Sequence, residues 1–267
     1  MTSRFEHLEF DEQPLRFEEQ EHEQQAGQSS GVLGAEPMHR HAYYQRAIEL
    51  LHRGDFEQAL RAFTRTLELD RSFVPAWVGQ VQMLVELEEL REAELWADKA
   101  LDLFKDNGDL LSARAVAVVR RADRHGALRC SDAGLAARGV SAYRWVARGE
   151  VLLAWGSDQV QSCFDRALLE QDADWFTGLS IARTYRRYQR FTNALAAARK
   201  ATEQAPQAPF AWCIRGLCER DLAIGAAVTS FNRALELDAT FKPARDALRM
   251  PTTGSWVKRL LRRARGA

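Results

Sequence analysis

The sequence predicts an all-α solenoid of about six stacked helix hairpins, and three observations carry the prediction. Alanines stand 34 residues apart at Ala59, Ala93 and Ala127, and leucines keep the same step at Leu67, Leu101 and Leu135. Phe56, Ala59, Leu60, Phe63 and Leu67 fall at helical spacing and form one apolar stripe. Gly54-Asp55, just ahead of that stripe, breaks one helix and opens the next. A single hairpin cannot bury such a face, so copies at a fixed period imply neighbours stacked upon it. No strand is predicted.

The founding hairpin sets the terms for the rest. Ala59 is small where two helices must come close, and Phe63 fills the space one turn later. Further on, Ala167 and Ala201 are again 34 apart, whereas Ala234 follows Ala201 after only 33, so the fourth and sixth units are one residue short.

An aromatic residue near the start of the first helix recurs as Tyr43, Trp77, Trp145 and Trp212. Four residues later stands a small one, Ala47, Gly149 or Gly216, with Val81 as the departure. The second helix carries Ala-x3-Phe as Ala59 and Phe63, weakened to Ala93 with Ala97 and Ala194 with Ala198. A closing proline is present once, at Pro206. This pattern resembles the tetratricopeptide repeat over residues 40–241. The resemblance implies a right-handed superhelix whose first helices line a concave groove.

In chain order, residues 1–38 hold nine acids against two arginines, too polar a composition to bury a core, and read as a disordered arm. Within it Arg4-Phe5-Glu6 recurs as Arg16-Phe17-Glu18, the kind of acidic, aromatic segment that orders on a partner. Six units follow at about 40–73, 74–107, 108–141, 142–174, 175–208 and 209–241. Pro75 and Pro209 suit early helical positions, and Asp106-Asn107-Gly108 has turn chemistry. The third unit is the most degenerate, with Ser131 and Gly134 where bulk is expected, and it is rich in arginine. The fifth carries no acid between Trp175 and Thr202. Residues 242–250 read as a capping helix and 251–255 as a linker. Residues 256–267 read as a basic amphipathic helix, with Trp256, Val257, Leu260 and Leu261 opposite Lys258, Arg259, Arg262 and Arg263.

Composition narrows the function. A hydrophobic share of 46% supplies a core, and the formal charge of zero hides an acidic arm on a basic body. Neither a secretory leader nor a membrane-spanning apolar run is read from the sequence. Cys130, Cys163, Cys213 and Cys218 form no Cys-x-x-Cys pair and fit reduced thiols of a cytoplasmic protein. His39 and His41 lie on different sides of a helix, with no third ligand to complete a metal site. No nucleophile–base arrangement or glycine-rich phosphate loop stands out, so neither enzyme activity nor a cofactor is expected.

Groove positions implied by the resemblance are Tyr44, Ile48, Leu51, Val78, Gln82, Val85, Arg120, Val146, Glu150, Arg183, Arg186, Arg187 and Arg220. Such a wall, apolar in front and basic behind, suits a partner's acidic peptide or amphipathic helix, with Arg186 and Arg187 each able to grip a carboxylate. The expected function is a non-enzymatic protein-interaction adaptor. The arm is a further candidate ligand for the groove in cis, and the tail residues Trp256, Lys258, Arg259, Arg262 and Arg263 are candidates to meet a protein or the anionic inner face of a membrane. The runner-up is a nucleic-acid-binding repeat using the arginines of units three and five and the tail.

Overall fold

Thirteen α-helices and no strand make up residues 39–250, the part of the chain that the computed structural model describes. Twelve of them pair into hairpins in sequence order: α1 (Arg40–His52) with α2 (Phe56–Leu69), α3 (Val74–Glu86) with α4 (Leu90–Leu103), and α5 (Gly108–Arg120) with α6 (Arg124–Ala136). The series continues with α7 (Ala142–Trp155) and α8 (Val160–Ala167), α9 (Trp175–Arg187) and α10 (Phe191–Gln204), and α11 (Pro209–Asp221) and α12 (Ala227–Leu237). The last helix, α13 (Lys242–Arg249), packs on α12 and α11. The acidic arm and the basic tail lie outside the described residues.

One backbone device makes all six hairpin turns. Gly54, Glu88, Ala122, Gly156, Gln189 and Ala223 each adopt a positive φ, between 57° and 74°. A single left-handed residue reverses the chain within a few positions and lets the next helix run back along the first. Caps then start the second helices locally: Asp55 accepts the Gln58 amide N–H, and Asp123 accepts that of Gly126. Among first helices, Asn107, Ser141 and Asp174 cap α5, α7 and α9, while Pro75 and Pro209 sit in the opening turn of α3 and α11.

Within hairpins the small and bulky positions interlock. A Cβ on Gly149 would lie 2.1 Å from the Phe164 ring, and one on Gly216 would lie 2.6 Å from that of Phe231. Phe164 and Phe231 are therefore counterparts of Phe63, although the sequence pattern was read at Phe63 alone. Between hairpins, Gly79 admits the Phe63 ring to 2.5 Å of where its own Cβ would be. The Trp77 and Trp212 indoles each donate to the carbonyl six residues upstream, at Arg71 and Pro206. These bonds fix the bend into a first helix.

The degenerate third unit is completed from outside. Arg144 of α7 enters against Gly108, where an added Cβ would stand 2.3 Å from its Cζ, and its side chain is 7% exposed. Its Nη1 donates to the carbonyls of Gly139 at 2.6 Å and Arg138 at 3.1 Å, and its Nε pairs with Asp109 at 3.0 Å. An arginine thus serves as both filler and C-terminal cap.

Four of the six turns place a side chain where glycine is easier. Exchanging Ala122→Gly, at an exposed position with φ 69°, should stabilise the protein by about 0.5–1 kcal/mol, because the left-handed strain outweighs glycine's extra entropy. Urea unfolding followed by circular dichroism checks this.

Candidate functional site

The first helices of all six hairpins converge on one cavity of about 700 Å³. Leu51, Gln82, Val85, Arg120, Val146, Glu150, Arg183, Arg186 and Arg187, expected on a groove wall, all line it. Tyr44, Ile48, Val78 and Arg220 do not. Tyr44 packs edge-on against Phe73, and Ile48 and Val78 belong to the apolar core of the first hairpins. Arg220 donates to the Ala247 carbonyl and covers the Phe231 ring, tying α11 to α13.

Charge on this wall is paired within the chain. Arg120 is 6% exposed and grips Glu150, 3% exposed, through Nε at 2.7 Å and Nη2 at 3.2 Å. Its remaining donors reach the Val85 carbonyl and Glu86. Glu86 is shared with Arg183, Glu88 binds Arg187, and Arg186 Nε meets Asp221 at 2.5 Å. Arg186 and Arg187, expected to grip a partner's carboxylate, are each held by an acid of this chain. Sequence reading had the charges but not their partners.

Electrostatics follow from this packing. Burial pushes the Glu86 carboxyl up, yet Arg183, Arg120 and Arg187 together outweigh it and hold the group below the usual range. Burial pulls the Arg120 guanidinium down, but Glu150 and Glu86 more than reverse that and keep it charged. Burial also raises the Tyr143 phenol, with Glu150 adding to the shift. Cys213 and Cys218 are pushed up to about 12 by burial, so both are inert thiols at neutral pH. Neutral hydroxyls on α9, from Thr177, Ser180 and Thr184, complete the lining. No group of three potential metal ligands occurs among the described residues.

The inner wall is not an open groove. Its far ends meet: the turn after α1 reaches α9 and the last hairpin. The Phe56 ring lies 5.9 Å from that of Phe210 at 76°, and the Arg183 guanidinium sits 4.7 Å from the Phe56 ring and 5.5 Å from the Phe210 ring. His52 meets the Trp175 ring edge-on at 5.2 Å and lies tilted against Phe176 at 4.9 Å, and Arg53 bonds Asp238 at 3.1 Å. Aromatic and cation–π contacts contribute about 1 kcal/mol each, and an exposed ion pair less. The solenoid is thereby one closed turn around its cavity.

The buried Arg120–Glu150 pair gives a test of this wall. Arg120→Met alone should cost about 3–5 kcal/mol, since it leaves Glu150 charged and unpartnered. Arg120→Met with Glu150→Leu should recover most of the loss. Equal losses in the single and double variants, measured by thermal and urea unfolding, would count against the pair as described.

No protein-family model matches the chain, and no curated protein matches it. Solved structures do. A tetratricopeptide-repeat protein of Thermus thermophilus is 20% identical with a TM-score of 0.53, the match covering 69% of this chain and all of that one. A tetratricopeptide-repeat protein of Parabacteroides merdae is 16% identical with a TM-score of 0.50, over 80% of this chain and 85% of that one. The monomeric mutant of IFIT1 with Gppp-AAAA is 15% identical with a TM-score of 0.54, over 76% of this chain and 51% of that one. In another matched structure this chain spans only 42% of its counterpart. By its hairpin period, its interlocking aromatic and small residues and these likenesses, the chain has the fold of tetratricopeptide-repeat proteins.

Proposed function

We propose that the protein is a non-enzymatic interaction scaffold that holds a short peptide segment of a partner in the central cavity. One observation carries the reading: side chains from the first helix of every hairpin face a single cavity of about 700 Å³, within the usual range for ligand sites. A helix about 10 Å across rising 1.5 Å per residue fills about 120 Å³ per residue, so the space suits about six residues rather than a long helix. Because the inner arginines already have carboxylate partners, recognition rests on shape and on neutral donors and acceptors such as Gln82, Ser180 and Thr184.

The same pairing weighs against nucleic acid. A phosphate backbone is drawn by unpaired cations, and on this wall each arginine would first have to release an acid. That IFIT1 was solved with Gppp-AAAA gives reason to run RNA as a control. No described helix is long and apolar enough to cross a membrane. Cytoplasmic action belongs to the same proposal, as do self-binding of the acidic arm and contact of the basic tail with an anionic membrane, which involve residues outside those described.

A displayed library of random peptides, selected on the full-length chain, tests the reading. Enriched peptides should bind the wild type and bind Ser180→Trp, which fills the cavity, about tenfold or more weakly. Oligoadenylate should bind neither. Absence of any enriched sequence, or equal binding to both proteins, would overturn it.

A further inference from the structure

Successive hairpins lie backbone against backbone. The junction between the first hairpin and the last two has far less packing of that kind and is bridged mainly by side chains, with the Gly54 backbone against the Phe210 ring. Phe56, its centre, is only half buried, and Arg53 is 55% exposed. Local opening runs along the surfaces with the fewest buried apolar contacts, and this seam is such a surface.

We propose that the seam is a clasp: the closed turn parts between the α1–α2 turn and α9 and α11, admits a partner segment sideways into the cavity, and shuts around it. This rests on the cavity being the partner site. A segment in the middle of a folded partner cannot thread a closed turn end first, because its chain continues in both directions. Through a parted seam it needs no free end. The cavity becomes a clip for internal loops as well as for chain termini.

Gly54 provides the lever. A Cβ there would stand 2.7 Å from Phe210 Cε2, so the tip of the turn seats against Phe210 only when bare. Gly156 has nearly the same φ, 71° against 74°, and nothing within 4 Å of its would-be Cβ. Gly54→Ala and Gly156→Ala therefore share the backbone strain, and only the first wedges the seam.

The test uses the full-length chain carrying Cys130→Ser, which removes the one thiol that is not buried. Spin labels at the exposed positions 58 and 207 flank the seam, and double electron–electron resonance reads the distance. The parent should give one narrow population. Gly54→Ala should raise the longer-distance share about tenfold, while Gly156→Ala leaves it as in the parent. In unlabelled chains bearing Ser180→Cys, a poly(ethylene glycol) maleimide should react about tenfold faster with Gly54→Ala than with Gly156→Ala. Phe56→Ala, which removes the central ring, serves as the opening variant if Gly54→Ala loses its helical spectrum. Equal distances or equal labelling rates in opening variant and control would overturn the clasp. A failed peptide selection with these differences intact would overturn only the peptide reading.

Discussion

A guanidinium sealed inside the turn, that of Arg120, sets the curvature of the whole molecule. It lies on α5, binds Glu150 of α7 with two bonds, and touches the end of α3 through Val85 and Glu86. Two charges removed from water must stay together, because either alone would be an uncompensated ion in a poor solvent. The first helices of three successive hairpins are thus drawn inward to a common point. With α3 and α7 held there, Arg183 and Arg187 of α9 come within reach of Glu86 and Glu88. The last hairpin can then meet the first.

Much of the fold was legible because its cause is local and repeated. The 34-residue step, the stripe on α2 and the break at Gly54-Asp55 all show in the order of residues. The regularity of the turns was less visible, since the same left-handed geometry is filled by Gly54 and Gly156 but also by Glu88, Ala122, Gln189 and Ala223. Phe164 and Phe231 escaped notice although Ala227 and Phe231 keep the Ala-x3-Phe spacing intact. Val160 in place of alanine obscured Phe164, even though its partner Gly149 had been singled out.

The site was half legible for a different reason. The resemblance to the repeat implied Gln82, Val85, Arg120, Glu150 and the α9 arginines on the inner side, and they do face the cavity. Closure carries no such signal. Arg183 and Glu86 are 97 residues apart, and Arg53 and Asp238 are 185 apart. Nothing periodic links either pair, so arginines read as a basic wall became members of a neutral one. A wall with its charges matched draws ligands by fit at short range, and not by a long-range field.

Closure also bears on how such an array changes in length. An open stack can gain or lose a hairpin at little cost, since each unit touches only its neighbours. Here a unit inserted between the first hairpin and the last would carry Asp238 and Phe210 away from Arg53 and Phe56, and deletion of the fifth unit would remove Arg183 from beside the two rings. The number of hairpins between the two sides of the seam is thus set by closure itself.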